Sequence, residues 1–307
     1  MTSLAGRVAL VAGATRGAGR AVARALGEAG ATVYCTGRNA RGQPATSGYF
    51  AGRPETIEET AEMVDAAGGV GVAVRVDHAV ESEVAALCAR VRQEQGRLDL
   101  LVNVFWGGPA VTQWGRFWAH PLDAGRDLFE AAWPHVITCR HAAPLMVERG
   151  SGLIVQLTDG DTLGYRHNLF YDLARIAEIR LAYALAQELA PRGVTALALT
   201  PGYMRTEATL DAFGVTEANW KKGVASDPNF AASESPGFVA RGVVALACDP
   251  QVARKAGGLY SSWELAEAYG FTDVDGRRPN LGDQLGAGAA TAPASPRVAW
   301  RVDRLPD

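Results

Sequence analysis

The sequence predicts a single α/β domain, a doubly wound parallel sheet with helices on both faces. Three observations predict it. Short β-branched apolar runs alternate with longer amphipathic stretches through most of the 307 residues. Those runs carry few polar residues, as strands covered on both faces do. A glycine-rich turn joins the first run to the first helical stretch, and alternation of this kind requires right-handed crossovers.

Strands are expected over residues 8–12, 32–36, 70–76, 98–103, 153–158 and 194–199. The first helix, 19–30, starts at a glycine turn and stops at Ala29-Gly30. The second, 54–67, sets Pro54 at a first-turn position and follows it with Glu55, Glu58 and Glu59, where the helix dipole favours acids. Further helices are expected over 81–95, 123–149 (bent near Pro134 and Pro144) and 170–190. Residues 226–236 read as a loop, 237–248 as a late helix and 257–260 as one more strand. From Gly276 the composition shifts, and 286–296 is almost entirely Gly, Ala, Pro, Ser and Thr. The expected organisation is therefore one domain over 1–275 and a tail over 276–307, either disordered or draped over a neighbouring subunit.

Composition excludes several function classes. Thirty basic against 33 acidic residues leave a net charge of −3, which supports neither a nucleic-acid nor an anionic-membrane partner. Cys35, Cys88, Cys139 and Cys248 lie far apart without CxxC spacing, so no zinc knuckle or redox pair is written here. His78, His120, His135, His141 and His167 form no metal set; His135 and His141 are six apart and point to different helix faces. No metal is expected. With no signal peptide and no apolar run near ~18 residues, the expectation is a soluble, cytoplasmic protein.

The sharpest local signal is Val11-Ala12-Gly13-Ala14-Thr15-Arg16-Gly17-Ala18-Gly19. Glycines between a first strand and a first helix let backbone approach a pyrophosphate, and the helix N-terminus offers it free N–H groups. With this motif, Asp77, Gly96-Arg97-Leu98-Asp99-Leu100-Leu101-Val102-Asn103, Tyr171 with a basic residue four on, and Pro201-Gly202, the chain resembles the short-chain dehydrogenase/reductase family from about Arg7 to Tyr260. The resemblance implies one Rossmann-type domain, a nicotinamide cofactor, a small-molecule substrate and a homodimer or homotetramer.

Charge argues the form of the cofactor. Arg38 follows the second strand, where an acid would bind the ribose of NAD and a cation accommodates the extra phosphate of NADP. Arg16 in the glycine loop sits on the same side in the family's NADP-binding members, and two guanidiniums suit that phosphate. NADP(H) is therefore expected. The resemblance also implies that Asp77 faces the adenine, that Asn103 lies under the adenosine ribose, and that Thr206 touches the carboxamide or pyrophosphate. Thr15, Pro201 and Gly202 complete the implied set with Gly13, Gly17 and Gly19.

At the catalytic end the family pattern of Ser, Tyr, Lys and a helix Asn breaks. Tyr171-Asp172-Leu173-Ala174-Arg175 keeps the tyrosine and replaces the lysine by Arg175, one helical turn on. A phenol of pKa ~10 donates poorly near neutrality, so a nearby cation would lower it. The serine is missing from Leu157-Thr158-Asp159-Gly160: counting along the strand places Asp159 there, counting back from Tyr171 places Thr158. An aspartate at this position resembles the family's pteridine reductases, which reduce C=N bonds. Ala131 or a neighbour replaces the helix asparagine, and Asn103-Val104-Phe105-Trp106 replaces the family's Asn-Asn-Ala-Gly.

Segments after strand carboxyl ends line the crevice of such a sheet. Phe105, Trp106 and Trp114 are thus expected to form an aromatic wall, with Tyr203 opening a lid over about 203–236. The expected function is NADP(H)-dependent reduction of a C=O, or C=N, group in a bulky apolar or aromatic small molecule. The alternatives are non-redox chemistry on the same fold (cyclisation, dehydration or isomerisation) and a non-catalytic NADP(H)-binding protein.

Overall fold

The computed structural model describes residues 3–46, 50–106, 116–160, 165–166 and 168–288. The strands are β1 (Val8–Ala12), β2 (Thr32–Gly37), β3 (Val70–Arg75), β4 (Leu100–Asn103), β5 (Gly152–Leu157), β6 (Val194–Thr200) and β7 (Leu259–Ser261). They form one parallel sheet in the order β3-β2-β1-β4-β5-β6-β7. The chain winds outward from β1 to β3, then returns to lay β4 against the other side of β1. The order reverses at β1/β4, and a crevice opens there at the carboxyl ends.

The helices are α1 (Gly17–Glu28), α2 (Ile57–Ala66), α3 (Glu81–Gln95), α4 (Leu122–Glu130), α5 (Trp133–Val147), α6 (Leu169–Leu189), α7 (Glu207–Phe213), α8 (Pro236–Cys248), α9 (Ser262–Tyr269) and α10 (Leu281–Gly288). Strand alternation divides the core between the two faces. Val11, Val102 and Val155 pack with Val22 and Leu26 of α1 and Val243 of α8. Leu10, Leu101 and Ile154 pack on the opposite face with Leu87 of α3 and Met146 of α5.

Several boundaries differ from the sequence expectation, each for a local reason. The long helix expected over 123–149 is two helices, and Pro134 takes the second position of α5, where its missing N–H is tolerated. α2 starts at Ile57 because Thr56 caps it in a reciprocal box with Glu59. Pro54 and Glu55 therefore precede the helix. β4 starts at Leu100, since the Asp99 carboxylate accepts the Val8 N–H at 2.8 Å. Part of the loop expected over 226–236 forms a 3-10 turn, Pro228–Ala232, and α10 occupies the start of the expected tail; residues 289–307 lie outside the described residues.

Candidate active site

Gly13 leaves β1 with φ +94°, and a Cβ there would lie 2.7 Å from the Phe105 nitrogen, which itself donates to Ala12 O. Glycine is thus required both by the left-handed backbone and by the neighbouring strand exit. Gly17 (φ +55°) opens α1, and its N–H donates to Glu207 Oε2 at 2.9 Å. A cleft of about 1030 Å³ runs from this loop to the ends of β4 and β5. Gly13, Thr15, Arg16, Gly17, Arg38 and Asp77 line its one end. Phe105, Trp106, Thr158 and Arg175 line the other, with Pro201 and Thr206 between.

Other expected residues stand behind the wall. Gly19 lets α1 close on the Gly13 carbonyl. Asn103 is fully buried and donates to Gln156 Oε1 at 3.1 Å, away from the cleft. The Gly202 N–H donates to Glu234 Oε2 at 2.9 Å. Tyr203 does not line the cleft; its ring packs edge-on against Phe230, 5.2 Å between centroids, and Phe213. Trp114 and His167 lie outside the described residues.

At the glycine-loop end the structure brings in a group the sequence reading had assigned to a helix turn. Glu55 accepts from Arg53 Nη2 at 2.7 Å and from Arg16 Nε at 3.1 Å. Burial pushes its carboxyl up, but the Arg53 hydrogen bonds and then Arg16 hold it down to about 2. Burial in turn lowers the Arg16 guanidinium, with Glu55 opposing. Arg16 still keeps a buried Nη2 without a hydrogen-bond partner among the described residues, on the wall of the cleft. Arg38 stands across from it, 4.0 Å from Asp77. A buried donor left free, a second arginine and a side-chain-free cradle fit the phosphates of a dinucleotide.

At the other end the structure separates Thr158 from Asp159. The Thr158 hydroxyl donates to Arg175 O at 3.0 Å. Asp159 Oδ2 accepts the Tyr171 phenol proton at 2.5 Å. The turn that allows this is fixed from three sides. Gly160 (φ +85°) donates to Thr200 Oγ1 at 2.9 Å, and Arg166 reaches both Asp159 O (2.7 Å) and Asp172 Oδ1 (2.9 Å). Asn168 caps α6 by accepting the Tyr171 N–H at 3.0 Å. Burial pushes the phenol well above its ordinary value; Arg175 pulls it down and Asp159 adds to the push. The lowered phenol expected from a neighbouring cation is therefore not what this pocket produces.

The Arg175 guanidinium lies 3.7 Å from the Trp106 ring centroid and 5.2 Å from that of Tyr171. Its Nη1 donates to both oxygens of Glu178, at 3.0 and 3.2 Å. Behind Glu178, His135 Nε2 is 3.5 Å from Oε1, while Nδ1 meets Gln156 Oε1 at 2.9 Å. The Phe105 ring sits between His135 and His78, centroids 4.4 and 4.9 Å away. His78, held between the Thr36 and Thr138 hydroxyls, is driven down to about 3 by burial and by His135. Ala131, which with its neighbours was expected where the family carries an asparagine, lines the cleft. Glu178 and His135 were absent from the sequence expectation, although the i,i+3 spacing of Arg175 and Glu178 was readable.

A glycine-rich turn at the reversal point of a doubly wound sheet, with a tyrosine–acid pair beside the same cleft, is the arrangement in which such sheets place a ligand crevice. The sequence profile of the short chain dehydrogenase family matches residues 7–213, and the chain belongs to that family. It is an oxidoreductase of the short-chain type. It is 34% identical to dehydrogenase/reductase SDR family member 1 of Mus musculus and 35% to that of Homo sapiens, in each case over 98% of this chain and 93% of the relative. A short chain dehydrogenase of Mycobacterium thermoresistibile shares the fold, with TM-score 0.74, 22% identity, and 91% and 93% of the two chains covered. A Beutenbergia cavernae protein solved with NADP bound at low occupancy is 26% identical, with TM-score 0.65 over 85% of this chain and 96% of that one.

Proposed function

We propose that the protein is an NADP(H)-dependent oxidoreductase that reduces a C=O or C=N group of a bulky apolar or aromatic small molecule. The observation that carries this reading is the 2.5 Å Tyr171–Asp159 hydrogen bond, next to Trp106 and Arg175, which line the cleft that holds the glycine loop and the free Arg16 donor. When bound, the nicotinamide supplies a hydride. Arg16 and Arg38 hold the 2′-phosphate by charge-assisted hydrogen bonds, and Thr15, Gly17 and Thr206 border the diphosphate. Tyr171 keeps its proton at Oη until a substrate oxygen or nitrogen replaces Asp159 as its acceptor, and Asp159 orients the phenol meanwhile. Phe105 and Trp106 supply the apolar wall that excludes water beside them. The NADP bound to the Beutenbergia protein supports the choice of cofactor.

The reading includes action in the cytoplasm on a free small molecule, by a homodimer or homotetramer. Exposed Trp118, Leu122, Phe129 and Trp133, grouped on α4, α5 and the turn before them, support self-association. No helix among the described residues is long and apolar enough to cross a membrane.

Titration of tryptophan fluorescence with NADPH and NADH tests the cofactor. NADPH binding at micromolar levels, tighter than NADH, is the expected result, and binding of neither removes the reading. NADPH oxidation with carbonyl and cyclic imine substrates then tests the reaction. Product formed without NADPH consumption would replace it by the non-redox alternative.

A further inference from the structure

Arg175 and Glu178 of α6 form a buried ion pair, with His135 of α5 packed behind it, for which hydride transfer alone has no use. Glu178 is 1% exposed and His135 is fully buried. Both Glu178 oxygens receive Arg175 Nη1, and the planar face of the same guanidinium lies on Trp106. Arg175 Nε is buried without a hydrogen-bond partner among the described residues, while Nη1 is held by Glu178 and the head lies against Trp106. The charged groups facing Tyr171 among the described residues are Asp159 from the turn after β5 and Arg175 from its own helix. Arg166 and Asp172 pair across that turn, and Glu178 with His135 stand behind Arg175.

We infer that Glu178 is a positioning residue: it fixes the Arg175 guanidinium beneath Trp106 and takes up its charge, so that Tyr171 meets Asp159 and not an unscreened cation. This deepens the reading of Tyr171 as proton donor and rests on it. In a dry pocket, a guanidinium this close would favour the phenolate strongly. A phenolate has no proton to give and would be repelled by Asp159. An acid one turn along the same helix is the simplest group to offset that cation. It lies on the far side from Tyr171, because α5 closes over it with His135. The Lys-to-Arg change and Glu178 thereby form one device, a cation engaged from behind.

The test needs neither substrate nor cofactor. Phenolate ultraviolet absorbance is followed against pH, and the matching Tyr171→Phe protein is subtracted in each background to isolate this one phenol. In the natural protein Tyr171 contributes no ionisation at the ordinary phenol value of ~10. In Glu178→Gln its ionisation is expected about 1–3 units lower than in the natural protein, the span an opposite charge nearby produces. An unmoved or higher titration overturns the proposal. If Glu178→Gln does not fold, the double change Arg175→Met/Glu178→Met removes both buried charges at similar volume. With the cation removed as well, no Tyr171 ionisation at or below ~10 is expected, and a titration lowered below that of the natural protein overturns the proposal. Failure of Tyr171 as donor is read separately, from full turnover in Tyr171→Phe.

Discussion

The two ends of the cleft differ in how much of their chemistry is already committed. At the glycine-loop end Arg16 keeps a free buried donor, and Arg38 is partly exposed with Asp77 at 4.0 Å. At the Tyr171 end the phenol, both oxygens of Glu178 and the Thr158 hydroxyl are spent within the protein. A phosphate site can keep one donor in reserve, because Glu55 already pairs the Arg16 charge and the second anion arrives with the ligand. A buried phenol has a single proton to place, and without a partner it costs stability directly. The difference is a physical reason for the residues expected to match the family to lie at one end and those expected to depart from it to lie at the other. Changing one buried polar group obliges its neighbours to change with it.

The comparison is most easily broken at Tyr171. Tyr171→Phe removes the proton donor and leaves the phosphate end untouched. Turnover is expected to fall by about 10²–10⁴-fold, with NADPH affinity unchanged in a fluorescence titration. Full turnover would show that the committed end is not where the proton moves. Arg16→Ala acts at the opposite end. NADPH affinity is expected to drop by about 10–100-fold, the loss of a charge-assisted phosphate contact, while NADH affinity stays within error. An equal loss for both cofactors would mean that Arg16 shapes the loop and does not read the phosphate.

Arg175→Lys sharpens the contrast, because it restores the family's lysine in a pocket built for arginine. The guanidinium sets Cζ 3.7 Å from the Trp106 centroid while its Nη1 reaches both Glu178 oxygens, two places that one compact ammonium cannot occupy together. Turnover is expected to fall about tenfold, not to rise. A gain would show that Glu178 and Trp106 accept either cation and that the pairing carries no constraint.

The same contrast decides what was legible from the sequence. The fold was, and so was the lining of the cleft by the glycine turn, because each strand, turn and glycine there is a contiguous segment whose meaning is local. Arg16 belongs to that stretch, yet Glu55 on it does not: the two are 39 residues apart and meet only because Thr56 starts α2 late and frees Glu55 from the helix. Thr158 and Asp159 stayed open because one residue of slip along a strand exchanges its faces. The packing of Arg166 and Gly160 settled which one meets Tyr171. Glu178 was visible as an i,i+3 neighbour, but its burial depends on His135 from another helix. Tyr203 was assigned to the cleft from its place after Pro201-Gly202; its side chain instead follows the aromatic cluster of Phe213 and Phe230.

The smallest expected effect concerns Glu207, the α7 acid whose carboxylate accepts the Gly17 N–H at 2.9 Å. That N–H belongs to the first turn of α1, where the helix dipole favours an anion. The α7 carboxylate thus sits where a cofactor phosphate would seek the same donor, and the two anions compete. Asp211, one turn further along α7, ties that helix to Arg53 at 2.9 Å, so the competition does not rest on one contact. Glu207→Gln keeps an acceptor and removes the charge. Binding of NADPH and of NADH is expected to tighten equally, by about two- to fivefold, the span of ~0.3–1 kcal/mol for a charge at a helix N-terminus. Titration of both cofactors against natural protein and variant reads it. Tightening for NADPH alone would assign Glu207 to the 2′-phosphate. Weakening of both would make it part of the cradle, and the open end of the cleft would then be less open than its free arginine suggests.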